Sequence, residues 1–193
     1  MSLLLPLILA ATVATAPPPA ADTPNPHVDG AVTVTTVSAP EKALVFEVLL
    51  PANLHDSWNA VTTAEGITTW LTPQAKVDLR PGGDWLAMWG NNVAPGGGTI
   101  VSFVPEKSIT LKAMAPESFP TVRRERTTAV FTFTPVDANT TRVTLRQTGW
   151  KKGEEWDKAY AYLARGNAML LNALRQRFVS GPTDWAARMK SSK

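Results

Sequence analysis

The chain has 193 residues, of which 44% are hydrophobic and 18% charged, a balance that suggests one globular domain with enough apolar surface for a core. It has no cysteine, which excludes disulfides, thiolate metal sites, cysteine nucleophiles and acylated lipoprotein cysteines. Because it has two histidines and a net charge of +3, we expect no metal centre, no cofactor and no nucleic-acid partner.

The N-terminal 21 residues are predicted to be an export signal. Residues 2–16, SLLLPLILAATVATA, are apolar but too short to span a bilayer, which takes about 20 apolar residues. Residues 14–16 fit a small-x-small cleavage site, but Pro17 would hinder cleavage there, so residues 20–21 are an alternative. A disordered or mis-assigned start is the other interpretation, because no Lys or Arg precedes the apolar run. We expect a periplasmic or secreted protein with no integral membrane segment after signal removal.

A proline-rich stretch follows the predicted signal. PPPAADTPNPHVDG (17–30) holds five prolines, cannot form a helix and has little to bury. Residues 22–30 are therefore predicted to be an extended linker, residues 31–185 the folded domain, and residues 186–193 a basic tail.

Two strands and two short helices are predicted next. AVTVTTVS (31–38) and ALVFEVLL (43–50) are typical of strands. Residues 52–71 predict two short helices with a break near Gly66. Asn53 would cap the first helix, and Trp58 would face inward, as would Val61 one helical turn later.

Three further strand pairs are predicted from alternating apolar and polar residues. Residues 75–89 form a hairpin around the turn PGGD, residues 96–115 form a second pair, and residues 127–150 form another hairpin. Such alternation argues for an antiparallel sheet with one solvated face. Residues 116–126 are predicted to be a loop, whose basic run RRER (123–126) we interpret as solvated rather than as an anion site.

One long helix is predicted over residues 154–179, ended by the Ser-Gly-Pro sequence that follows it. Its 26 residues would span about 39 Å, enough to cross a small sheet. Seven residues form one face at helical spacing: Trp156, Tyr160, Leu163, Asn167, Leu170, Leu174 and Phe178. The sequence therefore predicts a two-layer α+β domain in which this helix covers the apolar face of the sheet.

Gly166 and Asn167 interrupt that apolar face. Glycine inside a helix costs about 1 kcal/mol relative to alanine, and a buried amide without partners costs about 1–3 kcal/mol. In the first interpretation, Gly166 permits a close approach of helix and strand, and Asn167 bonds to a neighbouring side chain or water. In the second, the pair lines a cavity and Asn167 offers a hydrogen-bonding group to a ligand.

Several motifs together resemble one family. They are WNAVTT (58–63) with Gly66 and Trp70-Leu71, DLRPGG (78–83), Gly149-Trp150, Gly153, Trp156-Asp157, AYAY (159–162), Arg177-Phe178 and GPTDW (181–185). In this order they resemble the START-like superfamily, also called SRPBCC or helix-grip, and within it the heat-shock-90 ATPase activator-like group. The resemblance extends from Val37 to Trp185.

The resemblance implies a curved antiparallel sheet that grips a long C-terminal helix, with two short helices after the first strand and a cavity between sheet and helix. Cavities of this superfamily hold apolar molecules, and its members include binding proteins, enzymes and co-chaperones. Many relatives carry a bulky residue near Gly166 and Asn167, so a larger or more polar cavity is expected here. Relatives of this group are mostly cytoplasmic, so the predicted export argues against a co-chaperone role.

The hypothesis favoured here is a non-catalytic carrier or sensor of a small apolar molecule. Its cavity would be walled by apolar side chains with a few polar groups. The candidate ligand-binding residues are Trp58, Trp70, Gln147, Trp150, Trp156, Tyr160, Leu163, Gly166, Asn167 and Leu170. Among these, Gln147 and Asn167 would be the polar groups.

Two other functions stay open. A cyclase- or hydrolase-like enzyme acting on an apolar substrate would need a general acid or base in the cavity, for which Asp157, Glu47 and His55 are the candidates. No pair of carboxylates is convincingly placed for that chemistry, so no catalytic residue is assigned. A protein-interaction module would instead use the loop at residues 123–126 and the outer face of the sheet.

Overall fold

One antiparallel sheet of nine strands organises the part of the chain that the structure, a computed structural model, describes: residues 25–90 and 93–190. The strands are β1 (Asn25–Asp29), β2 (Val32–Val37), β3 (Ala43–Leu50), β4 (Gln74–Val77), β5 (Asp84–Met88), β6 (Gly96–Val104), β7 (Ser108–Met114), β8 (Thr127–Asp137) and β9 (Thr140–Thr148). Their spatial order is β1-β2-β3-β9-β8-β7-β6-β5-β4, so the curved sheet stays open with β1 and β4 at its edges. The predicted signal, residues 1–21, lies outside the described residues.

Five helices complete the described chain. They are α1 (Leu54–Thr62), α2 (Ala64–Thr68), α3 (Pro120–Glu125), α4 (Glu154–Ser180) and α5 (Trp185–Lys190). The long helix α4 packs against β3 and β2 on the concave side of the sheet, which confirms the predicted helix-grip fold. Within residues 25–90 and 93–190, no helix combines the length and apolar character needed to cross a membrane.

The centre of the sheet shows why the alternating pattern predicted it correctly. In β8 and β9, Phe131 lies opposite Leu145 and Phe133 opposite Val143, and all four are buried beneath the helices. Their neighbours along the strands, such as Thr132 and Arg142, are exposed to solvent. Side chains of a strand alternate between two faces, so this one-sided burial fixes the register of the hairpin.

The first two helices form as predicted, with the break displaced. The Asn53 side-chain oxygen accepts a hydrogen bond from the Asp56 backbone N–H at 2.8 Å, which confirms the cap of α1. The break lies at Thr63, whose hydroxyl accepts from the Gly66 N–H at 2.9 Å and caps α2. A Cβ at Gly66 would lie 2.1 Å from the Asn59 carbonyl oxygen, so glycine is needed there for the two helices to pack.

The buried face of α4 differs from the predicted stripe. Fully buried are Trp156, Ala159, Ala168, Leu171 and Leu174, whereas Tyr160, Leu163, Asn167, Leu170 and Phe178 are half-buried. Trp156 and Leu174 are thus buried as predicted, whereas in the middle of the helix Ala168 and Leu171 are buried, each one position after the predicted residue. The half-buried middle of the stripe faces a cavity instead.

The linker prediction is corrected at its C-terminal part, because Asn25–Asp29 form β1 and pair with β2. Asn172 of α4 holds the intervening turn. Its Nδ2 donates to the Asp29 carbonyl at 2.8 Å, and its Oδ1 accepts from the Ala31 N–H at 2.9 Å. A proline-containing segment can join a sheet at its edge, where a missing donor costs little.

Two further predictions are corrected by short helices. Residues 120–125, predicted as loop, form α3, and most of the predicted basic tail forms α5. The indole N–H of Trp185 donates to the Thr68 carbonyl at 2.6 Å, and the Thr183 N–H donates to the Thr69 carbonyl at 2.8 Å. The C-terminal segment is therefore docked on α2.

Candidate functional site

A cavity of about 560 Å³ lies between α4 and the half of the sheet formed by β5 to β9. Its walls are mainly apolar and include Trp70, Trp85, Leu111, Ala129, Phe131, Leu145, Leu163 and Leu170. The sheet side carries several small residues, among them Gly96, Gly97 and Ala113. Small side chains under a helix that is only half-buried leave volume that the core does not fill.

Gly166 lines this cavity from α4, and a Cβ built on it would meet nothing closer than Tyr162 Cε1 at 4.0 Å. The interpretation that Gly166 permits a close helix–strand approach is therefore wrong. The residue instead leaves free space where a larger side chain would project.

Asn167 combines parts of both interpretations, because it lines the cavity and also bonds to a neighbouring side chain. Its Nδ2 donates to Gln147 Oε1 at 2.7 Å, and Gln147 Nε2 donates to Thr127 Oγ1 at 2.8 Å. Gln147 is 4% exposed and Thr127 2%. These bonds offset the cost of burying the glutamine amide and fix the position of Asn167 at the cavity wall.

The mouth of the cavity is lined by exposed apolar side chains. Trp89, Val93, Tyr162 and Met169 all belong to its lining, and their exposed fractions range from 47% to 69%. Large apolar side chains exposed together in one place mark a surface that binds something. Three charged residues, Glu117, Arg123 and Arg188, also belong to the lining.

Arg123 is held at the cavity by backbone carbonyls. Its guanidinium donates to the carbonyls of Ala115 at 2.7 Å and Pro95 at 3.0 Å. The prediction of a solvated loop at residues 123–126 is therefore wrong for Arg123. Nη1 of the nearby Arg126 is buried without a hydrogen-bond partner, and burial together with the charge of Arg123 lowers the pKa of Arg126.

Helix α3, which carries Arg123, is capped by a side chain from α4. Glu155 Oε1 accepts from the backbone N–H groups of Thr121 at 2.6 Å and Val122 at 3.0 Å. Burial alone would raise the pKa of Glu155, but these hydrogen bonds to its ionised form lower it. The Glu155 carboxylate thus fixes α3 and its arginine beside the cavity.

Six of the ten predicted ligand-binding residues line the cavity: Trp70, Gln147, Leu163, Gly166, Asn167 and Leu170. The other four, Trp58, Trp150, Trp156 and Tyr160, do not. The Trp58 ring packs edge-on against Phe133 with centroids 5.3 Å apart. The Trp150 ring lies edge-on to both Trp156 and Tyr160, at 6.5 and 4.9 Å. The Trp150, Trp156 and Tyr160 side chains pack together around the first turns of α4, and Trp58 packs α1 against β8, so all four are part of the packing.

Part of the lining was not predicted, although the sequence carries a signal for it. Trp85, Ala87 and Trp89 follow the alternating period of a strand, so they share one face and reach the same cavity. Tyr162, Gly166, Met169 and Ala173 recur at four-three-four spacing beside the predicted stripe of α4, and all of them line the cavity. The cavity face of α4 is wider than a single stripe.

The three candidate acid or base residues are all outside the cavity lining. Asp157 pairs with Lys42 at 2.8 Å, Glu47 with Arg142 at 3.2 Å, and His55 with Glu106 at 2.7 Å. Each pair is at least partly exposed to solvent. In the described part of the chain, no group of three or more His, Asp or Glu side chains is arranged to hold a metal ion.

Solved structures with the same fold include three bacterial proteins. The Aha1 dimer of Colwellia psychrerythraea is 18% identical, with a TM-score of 0.58 over 72% of this chain and 97% of that one. A protein of Mesorhizobium loti is 20% identical, with a TM-score of 0.57 over 69% and 94%. CalU16 of Micromonospora echinospora is 17% identical, with a TM-score of 0.55 over 89% and 93%. At these identities the likeness establishes the fold. No curated protein matches the sequence significantly.

The family model described as "Activator of Hsp90 ATPase homolog 1-like protein" matches residues 51–178, which is more than half of the chain. The matched range runs from the residue after β3 almost to the end of α4, and it includes the six cavity-lining residues predicted from the sequence. The fold is that of a ligand-binding or interaction module. The chain belongs to the family of Activator of Hsp90 ATPase homolog 1-like proteins, within the START-like superfamily.

Proposed function

We propose that the protein is a non-catalytic carrier or sensor of a small hydrophobic molecule, bound in the cavity between α4 and the sheet. The observation that carries this proposal is a mainly apolar cavity of about 560 Å³ with an anchored amide, Asn167, on its wall. Ligand pockets typically measure roughly 300–1,000 Å³ and combine apolar walls with a few fixed polar groups. The exposed apolar mouth gives such a molecule a route of entry.

The non-catalytic part of the proposal follows from the polar groups of the lining. Asn167 and Gln147 carry neutral amides, which do not exchange protons near neutral pH. The acidic groups of the lining, the carboxyl of Glu117 and the phenol of Tyr162, both belong to exposed residues. General acid–base catalysis needs a titratable group within hydrogen-bond reach of the reacting atoms.

The proposal predicts that the protein is purified with an apolar molecule or can take one up. Native mass spectrometry should show an additional mass in the range of a drug-sized molecule, and this mass should disappear after solvent extraction. Calorimetry of the extracted protein should then detect binding of fluorene, a rigid tricyclic hydrocarbon. A protein that shows its own mass alone and gives no heat with fluorene would refute the proposal.

We also propose that the protein is exported. Support comes from the apolar segment at residues 2–16 and the small residues that follow it. Residues 1–30 fused to an alkaline phosphatase, which is active only outside the cytoplasm, should give phosphatase activity in whole cells. An inactive fusion that accumulates in the cytoplasm would contradict export.

A further inference from the structure

We propose that Thr127, Gln147 and Asn167 form a reversible polar anchor, which selects apolar ligands that carry one uncharged oxygen, as an alcohol or a ketone. This inference rests on the proposed function, since it names the ligand class of the same cavity. The three side chains are linked by hydrogen bonds in series. This hydrogen-bond series begins in the buried sheet and ends at the cavity wall.

The geometry leaves the Asn167 end of the hydrogen-bond series available to a ligand. Asn167 Nδ2 and Gln147 Nε2 each donate one bond along the chain, at 2.7 and 2.8 Å. Among the described residues, nothing donates a hydrogen bond to Asn167 Oδ1. When the hydrogen bonds run in this direction, Asn167 Oδ1 is free to accept a hydrogen bond from a ligand, which suits the O–H of an alcohol.

The donors and acceptors of this hydrogen-bond series can also be reversed. Rotation of both amide groups by half a turn exchanges their oxygen and nitrogen atoms without moving the rest of either side chain. The Thr127 hydroxyl then donates to Gln147 Oε1, and Gln147 Nε2 donates to Asn167 Oδ1, because a hydroxyl can both donate and accept. Asn167 Nδ2 is now left over, and it suits the carbonyl oxygen of a ketone.

Selection follows from what each ligand leaves unpaired. A hydrocarbon that covers Asn167 removes water from its free amide end and returns no hydrogen bond, which weakens binding. A carboxylate placed beside Asn167 would exchange its hydration for neutral amide groups, although the lining also includes Arg123 and Arg188. An alcohol or a ketone satisfies Asn167 in one direction of the chain or the other.

The test compares four ligands that share one tricyclic body: fluorene, 9-hydroxyfluorene, 9-fluorenone and fluorene-9-carboxylate. Calorimetry on the full-length protein should show the alcohol and the ketone binding about 3- to 10-fold more tightly than fluorene, the gain expected of one hydrogen bond. The carboxylate should bind more weakly than either. A preference for only one of the two oxygen compounds would refute the reversible chain.

Two variants of the half-buried Asn167 separate the anchor from general packing. Asn167→Asp, measured at pH 8 where the carboxylate is ionised, can only accept, so it should keep the preference for the alcohol and lose the preference for the ketone. Asn167→Leu should bind fluorene, the alcohol and the ketone with similar affinities. If both variants retain the wild-type ratios, Asn167 is not the anchor.

The outcomes distinguish this inference from the proposed function. If fluorene and its oxygen derivatives bind the wild type equally, the cavity binds apolar molecules but the anchor is refuted. If none of the four ligands binds, the anchor is refuted, and the proposed function fails as well if native mass spectrometry shows the protein's own mass alone. The comparison on the wild type needs no variant, so a variant that does not fold leaves the test intact.

Discussion

Replacement of Gly97 by alanine is expected to lower the free energy of unfolding by about 3–5 kcal/mol. Gly97 lies in β6 at a φ of +111°, a backbone conformation that favours glycine. A Cβ at this position would lie 2.0 Å from the Trp85 carbonyl oxygen of β5, a backbone atom that cannot move without disturbing the β5–β6 pairing. Urea unfolding followed by circular dichroism gives the difference.

Gly82 is the matched control for this prediction. It also has a positive φ, +81°, but a Cβ there would meet no atom within 4 Å. Gly82→Ala should therefore lower the free energy of unfolding only by the cost of a positive φ for alanine, about 1–2 kcal/mol. Equal losses of stability in the two variants would contradict the prediction, because they would show that the close contact with the Trp85 carbonyl adds no cost.

Replacement of Gly166 by phenylalanine is expected to lower the affinity for fluorene at least tenfold, which corresponds to about 1.4 kcal/mol, while the domain stays folded. The position lines the cavity, and a Cβ built there meets no atom closer than 4.0 Å, so a phenyl ring would occupy volume that the ligand needs. The helix itself should tolerate the change, since phenylalanine forms helices better than glycine does. Calorimetry measures the affinity, and thermal unfolding checks the fold.

Ala161 provides the control for Gly166→Phe. It is exposed on the same helix and does not line the cavity, so Ala161→Phe adds the same ring elsewhere on α4. Its affinity for fluorene should equal that of the wild type. Unchanged binding in Gly166→Phe, with this control also unchanged, would place the ligand outside the cavity.

The sheet and the long helix were predictable because their residues repeat. Phe131 and Phe133 alternate with threonines, and in the structure both phenylalanines lie on the buried face of β8. Gly166 and Asn167 marked the cavity because both break an apolar face. By contrast, the sequence does not tell a wall indole such as Trp70 from a packed one such as Trp156, since both positions are apolar and inward-facing.

The elements that escaped prediction are short and depend on contacts made elsewhere in the chain. Strand β1 is held by Asn172, which is far along the sequence, and the segment that leads into α5 is docked by the bond from Trp185 to Thr68. Arg123 lies at the cavity because Glu155 caps the helix that carries it. Such positions follow from tertiary contacts, and no local period in the sequence encodes them.

Three of the seven tryptophans, Trp70, Trp85 and Trp89, line the cavity, two of them buried in its wall and one half-exposed at its mouth. The indole N–H groups of the two buried rings are bonded to the carbonyls of Ala60 and Val61, so these rings have fixed orientations. Under the proposed function, a molecule that enters the cavity would displace water from Trp89 and lie beside these three indoles. The protein's own ultraviolet emission would then report, without any label, whether the cavity is empty or filled.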